Sequence, residues 1–183
     1  MSSEIMEIPV KRIDGGEAAL SDWAGEVLLV VNVASKCGLT PQYEGLEALY
    51  RAEQGKGFEV LGFPANNFMG QEPGTEAEIA DFCAVTYDVT FPMFAKISVA
   101  GEDRHPLYAA LTAGAPTATG DGPMRERLAG YGIPAGAPGD VVWNFEKFLI
   151  GRDGRIAERF APDVTPDDPR LAAAVAREIA RTV

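Results

Sequence analysis

The chain has 183 residues, 46% of them hydrophobic, enough to bury one good-sized core, so a single domain over residues 1–183 is expected. Sixteen Lys and Arg against 27 Asp and Glu give a net charge of -11, which would repel phosphate backbones and anionic membrane surfaces, so neither nucleic acid nor membrane is expected as a partner. One histidine, His105, and two cysteines, Cys37 and Cys83, are too few for a structural zinc site, a His-based metal site or a secreted disulfide framework.

The N-terminal "MSSEIMEIPV" lacks a basic cluster and a long apolar run, and no segment reaches the ~18 to 20 apolar residues of a membrane span. A soluble, cytoplasmic protein is expected. "VLLVVNV" at residues 27–33 is a continuous aliphatic run, the pattern of a strand covered on both faces near the centre of a mostly parallel sheet. After Cys37, Thr40 is suited to N-cap a helix and Pro41 to be its first residue, with Leu46, Leu49 and Tyr50 on one face and Glu47 and Glu53 turned to solvent. "FEVLGF" at residues 58–63 reads as a second buried strand ending at Pro64.

A polar loop follows. Thr75 and Glu78 have capping-box spacing, and Ile79, Phe82, Cys83 and Thr86 then share a face, which predicts a helix over 76–87. "VTFPMFAKI" at residues 89–97 reads as a third strand, entered through Pro92. His105 before Pro106 reads as a helix entry with no catalytic part. Residues 112–140, rich in Gly, Ala and Pro, read as a long connection of the functional or mobile kind. "WNFEKFLIGRDGRIAERF" reads as a hairpin turning at 151–154. Thr165 and Pro166 open a C-terminal helix with an acidic first turn and with Arg177 and Arg181 at its end. No internal repeat is present, and the architecture is mixed α/β in layers.

Cys37 sits at a strand-to-helix corner, where helix N-H groups and the positive end of the dipole favour a thiolate, the form that acts as nucleophile. Taken alone, it is equally a buried, inert cysteine. Cys83, on the apolar face of its helix, reads as a core residue, with a resolving thiol as the sharper alternative. Gln71, Trp143 and Asn144 each offer a neutral N-H that could stabilise a sulfur or oxygen anion, though singly each is an ordinary loop, core or turn residue.

Four separated strings, "NVASKCGLTPQYEGLEALY", "LGFPANNFMGQEPGTEAEIADFC", "VTFPMFAKI" and "WNFEKFLIGRDG", together resemble the glutathione peroxidase family in its bacterial, cysteine-containing branch, from about Ile8 to the C-terminal helix. The resemblance implies a thioredoxin-like α/β fold, with a central mixed β-sheet flanked by helices and an N-terminal β extension. It implies reduction of hydrogen peroxide and organic, including lipid, hydroperoxides in the oxidative stress response, without a cofactor. Cys37 matches the family's peroxidatic position, and Gln71, Trp143 and Asn144 match the rest of its catalytic tetrad. Pro92 matches the cis-proline beside the site, and Cys83 stands where thioredoxin-reduced members carry their resolving cysteine.

Two departures stand out: Ala65 replaces a further cysteine found in many relatives, and Asn66 and Asn67 replace the commoner Asn-Gln. Cys37 and Cys83 are then the one intramolecular pair. Residues 112–140 correspond to a variable region that bears on subunit assembly. Thioredoxin is the reductant the resemblance favours, with a glutathione-dependent peroxidase or a peroxide sensor and redox relay as alternatives.

Overall fold

The computed structural model describes residues 4–182, and they begin with a single 3-10 turn and a short antiparallel ribbon of β1 (Val10–Lys11) and β2 (Glu17–Ala18), the expected N-terminal extension. The chain then runs through β3 (Val27–Val33), α1 (Gln42–Glu53), β4 (Phe58–Pro64), α2 (Glu76–Tyr87), α3 (Pro106–Gly114) and α4 (Asp121–Gly130). It closes with β5 (Lys147–Ile150), β6 (Ile156–Phe160) and α5 (Pro169–Ala180). The four long strands form one sheet in the order β4-β3-β5-β6. β3 and β4 are parallel, joined by a crossover through α1, and the other pairs are antiparallel, so the sheet is mixed and not mostly parallel as the β3 run alone suggested.

All seven residues of β3 are buried because both faces of the sheet are covered. Alternate side chains serve opposite layers. Val27, Leu29, Val31 and Val33 pack with Tyr43 and Leu46 of α1, Ile79 and Cys83 of α2, and Leu171 and Val175 of α5. Leu28 and Val30 point the other way, to Leu61 and Phe63 of β4 and to Leu107, Tyr108 and Leu111 of α3. The 151–154 hairpin turn forms where expected, with Gly151 N donating to Arg155 O at 2.8 Å.

Helix α2 has the expected bounds. Thr75 Oγ1 accepts from Glu78 N at 3.2 Å, Glu78 Oε1 accepts from Thr75 N at 3.1 Å, and the helix stops at Asp88, whose φ of 52° is left-handed. Ile79 and Cys83 are buried, but Thr86 is exposed, since this helix lies at the rim of its layer. His105 caps α3 through Nδ1, which accepts from Leu107 N at 3.0 Å, as its place before Pro106 suggests.

Several expectations are corrected. Residues 89–97 form no strand, because their hydrogen bonds are divided between two partners: Phe94 N donates to Gly62 O at 2.9 Å, while Ala95 N donates to Lys11 O at 2.9 Å. The bond before Pro92 is trans, and in that geometry the Pro92 carbonyl accepts from Gly62 N at 3.0 Å. Helix α5 opens at Pro169 and not at Pro166. Asp168 caps it by accepting from Arg170 N at 2.8 Å, and Thr165 spends its hydroxyl on Asp167 at 2.6 Å, so the first turn carries no acid.

Residues 112–140 are no open loop. They hold α4, whose Met124 and Leu128 are buried, and Thr119 extends the pairing beyond β6 through Arg159 O at 2.8 Å. Glu47, expected in solvent, is 5% exposed. Its carboxylate accepts from Thr90 N at 2.8 Å, from the Thr90 hydroxyl and from Arg51 Nε, tying α1 to the segment after α2.

Candidate active site

The chain leaving β3 turns sharply before α1, and one threonine holds that turn. Thr40 Oγ1 accepts from Cys37 N at 2.9 Å and donates to Ala34 O at 2.8 Å, while Thr40 N donates to Cys37 O at 3.0 Å. Thr40 therefore fixes the cysteine backbone, where the sequence suggested a side-chain cap for α1, and the helix begins at Gln42 with Pro41 in the cap position instead of the first turn. Leu39 N donates to Cys37 Sγ at 3.3 Å, so the N-H on the sulfur comes from this turn and not from the helix proper. Cys37 is 8% exposed.

The loop after β4 closes over this turn. Lys36 N donates to Gln71 O at 3.0 Å, which brings Gln71 to the Cys37 loop. Asn66 Oδ1 accepts from Glu72 N at 2.9 Å, and Asn67 grips the 98–100 segment through Val99 N at 2.9 Å and Ser98 Oγ at 3.0 Å. Asn66, which keeps the commoner family residue, and Asn67, which departs from it, thus both anchor the loop. Between them and Gln71 the backbone is left-handed at Met69, φ 57°, and Gly70, φ 61°, and Met69 is exposed to solvent.

The third component comes from the entry to β5. Asn32, the one polar residue in the apolar β3 run, donates from Nδ2 to Trp143 O at 3.1 Å and accepts Phe145 N on its carbonyl. Phe145 is left-handed at φ 70°, the bend that sets Trp143 and Asn144 ahead of the strand. Asn144 is fully buried and donates from Nδ2 to Gln71 Oε1 at 2.9 Å. The Trp143 ring lies against Phe68, centroids 5.5 Å apart.

Gln71, Asn144 and the Cys37 loop are therefore one hydrogen-bonded unit, with Trp143 joined to it through Asn32 and Phe68. Because Asn144 occupies the Gln71 oxygen, the free end of that amide is its NH2. Among the described residues, neither Gln71 Nε2 nor Trp143 Nε1 has a protein acceptor.

Cys83 belongs to the same packed layer as Cys37, and both thiols are free. It is 2% exposed on α2. Burial pushes its thiol up to about 11, the neighbouring Tyr43 hydroxyl works against this, and the charge of Glu72 adds to it. Among the described residues no group of three or more His, Cys, Asp or Glu side chains could hold a metal ion, and no helix is long and apolar enough to cross a membrane.

Sequence reasoning missed Asn32, the anchoring role of Thr40, Phe68 and the buried Glu72. Only Asn32 left a signal, a single amide inside an otherwise aliphatic strand.

Residues 5–112 match the family model described as glutathione peroxidase. Over 171 residues, 92% of this chain and 93% of the relative, the chain is 54% identical to the thioredoxin/glutathione peroxidase BtuE of Escherichia coli. It is 46% identical over 157 residues, 85% of each chain, to the hydroperoxy fatty acid reductase gpx1 of Synechocystis. Among solved structures, T. cruzi GPX1 has a TM-score of 0.71 at 32% identity, covering 98% of this chain and 100% of its own. A thioredoxin-family thiol:disulfide interchange protein from Chlorobium tepidum matches with a TM-score of 0.61 at 13% identity, covering 94% of this chain and 97% of its own, a likeness of fold.

Proposed function

Since the chain belongs to the glutathione peroxidase family of peroxide-reducing oxidoreductases, we propose that it is a two-cysteine thiol peroxidase with Cys37 as the peroxide-reactive residue, Cys83 as its resolving partner and thioredoxin as reductant. The observation that carries this reading is the pair of bonds on Gln71: its backbone oxygen accepts from Lys36 N next to Cys37, and its side-chain oxygen accepts from Asn144, which leaves the Gln71 NH2 as the free end of the amide.

The Cys37 thiolate attacks one oxygen of the hydroperoxide. An S-O bond forms, the O-O bond breaks, and the departing alkoxide or hydroxide takes up from water the proton that the Cys37 thiol released on ionising, to leave as alcohol or water. Negative charge moves from sulfur to the leaving oxygen, and fixed donors in a partly dry site stabilise it without reorganising. The Leu39 N-H, 3.3 Å from the sulfur, favours its anion before the attack. Exposed Met69 and the Phe68 ring against Trp143 give the loop before Gln71 an apolar character, which suits hydroperoxides with an organic substituent, in keeping with the fatty acid substrate named for the Synechocystis relative.

The Cys37 sulfenic acid then condenses with Cys83. The Cys83 sulfur attacks the Cys37 sulfur, the S-O bond breaks, and water leaves with the Cys83 proton. A thioredoxin dithiol reduces the disulfide by exchange. At 2% exposure Cys83 must be released by local opening of α2, a helix that buries only Ile79 and Cys83. No cofactor enters any step, and a thioredoxin partner with two free thiols fits a reducing cytoplasmic compartment.

The test is peroxide-dependent NADPH oxidation with thioredoxin and glutathione recycling systems in parallel, on the wild type, Cys37→Ser and Cys83→Ser. Activity with thioredoxin is expected only for the wild type. Normal thioredoxin-linked turnover by Cys83→Ser would remove the resolving role, and full turnover with glutathione alone would make glutathione the reductant.

A further inference from the structure

Resolution of oxidised Cys37 requires Cys83 to leave its buried place on α2, and a polar tie at the end of that helix opposes the release. Cys83 lies nearer the C-terminal end of α2 than its start. Its carbonyl accepts from Val89 N at 3.1 Å and the Ala84 carbonyl accepts from Asp88 N at 3.1 Å, the closing bonds of a helix that stops on a left-handed residue. The residues on either side of Val89 are both gripped from α1. Glu47 Oε1 accepts from Thr90 N at 2.8 Å and Glu47 Oε2 from the Thr90 hydroxyl, while Arg51 Nη2 donates to Asp88 O at 3.2 Å and to Asp88 Oδ2 at 3.1 Å. Arg51 Nε donates to Glu47 Oε2 and so joins the two grips.

The two grips are unequal. Glu47 is 5% exposed, so its bonds to Thr90 are sheltered from water, whereas half-exposed Arg51 and exposed Asp88 form a surface pair of little worth. Apolar packing holds α2 only lightly: Ile79 and Cys83 are its buried side chains, and Tyr87 adds a ring contact to Tyr43 with centroids 5.6 Å apart. Thr75 and Glu78 close the first turn within the helix itself. A helix held in this way opens first at the end nearer Cys83, once the tie there is broken.

We propose that Glu47, through Thr90, is a positioning residue that sets how often Cys83 is released to meet oxidised Cys37. This rests on the two-cysteine reading. The disulfide forms from the opened state, so its rate follows the fraction of molecules in which α2 is open. A tight tie lengthens the life of the Cys37 sulfenic acid. During that wait a second hydrogen peroxide reacts at the same sulfur: one oxygen joins it as the O-O bond breaks, and the other leaves as water. The sulfinic acid so formed drops out of the cycle.

The experiment compares wild type, Glu47→Gln and Thr90→Val with a control, His105→Ala, which removes the cap of α3 in the opposite layer at a comparable loss of stability in urea unfolding. Release of Cys83 is read from its alkylation rate by a small thiol reagent in reduced protein carrying Cys37→Ser. Resolution is read by acid quench and intact mass after one equivalent of hydrogen peroxide, and oxidation of Cys37 by tryptophan fluorescence. Resistance is read as the activity that survives turnover in excess peroxide.

In Glu47→Gln, release and disulfide formation should both rise by about tenfold, the effect of losing sheltered bonds to a charged group, with a smaller rise in Thr90→Val. Cys37 oxidation should keep its rate, and Glu47→Gln should outlast the wild type in excess peroxide although it is the less stable protein. His105→Ala should match the wild type in all of these. Unchanged or slower release and disulfide formation in Glu47→Gln, or an equal rise in His105→Ala, would overturn the proposal and leave the two-cysteine cycle standing. Failure of the wild type to form the Cys37 to Cys83 disulfide would overturn both.

Discussion

Replacing Lys147 by Met should stabilise the fold at neutral pH, because Lys147 is a fully buried ammonium with one hydrogen-bond acceptor. It is 0% exposed on β5, and its Nζ donates to Pro162 O at 2.9 Å. Burial pushes its pKa down from 10.5 to about 7, with Asp163, Glu146 and Asp168 opposing the shift. At about 1.4 kcal/mol for each tenfold change in proton affinity, that is a cost of about 5 kcal/mol at and below neutral pH. Above about pH 10.5 the lysine is neutral in both states and the cost is absent. As the pH falls from there to about 7, the unfolded chain binds a proton that the folded protein refuses, so stability declines, and below about 7 the penalty stays constant.

Methionine fills nearly the same volume without a charge. It leaves no orphan either, since Pro162 O still accepts from Gln42 Nε2 at 2.8 Å. The expected gain for Lys147→Met is about 1–4 kcal/mol at pH 7, shrinking toward zero near pH 10. Urea unfolding followed by tryptophan fluorescence at both pH values, read as the variant minus wild-type difference, measures it. A loss of stability at pH 7 that persists unchanged at pH 10 would refute the reasoning and make the Nζ to Pro162 bond a net stabiliser.

Two further substitutions probe the supports of the site. Thr40→Val removes both side-chain bonds that hold the Cys37 turn and should cost about 1–2 kcal/mol in urea unfolding. Its reaction with peroxide should slow by about tenfold to 10²-fold in stopped flow, because the sulfur loses its fixed position. Glu47→Gln should cost about 1–2 kcal/mol at pH 7. Burial alone would raise the Glu47 carboxyl, but the Thr90 hydroxyl and N-H and the Arg51 guanidinium outweigh it and hold the carboxyl below its ordinary value. A lowered folded pKa gives stability that is present above the unfolded value of about 4.3 and is lost as pH falls through the folded one. The wild-type advantage should therefore close in acid unfolding curves below about pH 4.

What was legible in the sequence was whatever local chemistry decides. Helix α2 could be read residue for residue because Thr75 and Glu78 fix its start without help from the rest of the chain. Strand β3 was legible because burial on both faces leaves a continuous apolar run. Where two local signals compete, tertiary context chooses. Thr40 had a cap to offer α1 and spent its hydroxyl on the Cys37 turn, and Thr165 lost the start of α5 to an Asp-Pro pair three residues on.

Residues 89–97 have strand composition, but their partners β4 and β1 lie far away in sequence, so their division between two neighbours left no pattern to read. The site divides in the same way. Cys37, Gln71, Trp143 and Asn144 were named through a family resemblance, and in the structure Asn144 bonds to the Gln71 side chain while Lys36, next to Cys37, bonds to the Gln71 backbone. Asn32, Phe68 and Glu72 were not read in advance, because each gains its meaning only from a partner brought close by the fold.

The central claim is that Cys37 meets peroxide first and Cys83 resolves it, and one measurement addresses it most directly. Reduced protein is treated with one equivalent of hydrogen peroxide, quenched in acid with a thiol-blocking reagent, and weighed intact by mass spectrometry. The wild type should lose two hydrogens and leave no thiol to block, with Cys37 and Cys83 joined in the peptide map. Cys83→Ser should gain oxygen at Cys37, and Cys37→Ser should stay unoxidised. A wild type that keeps a blockable Cys83 thiol after full oxidation of Cys37, or a Cys37→Ser protein that consumes peroxide at the wild-type rate, would contradict the account.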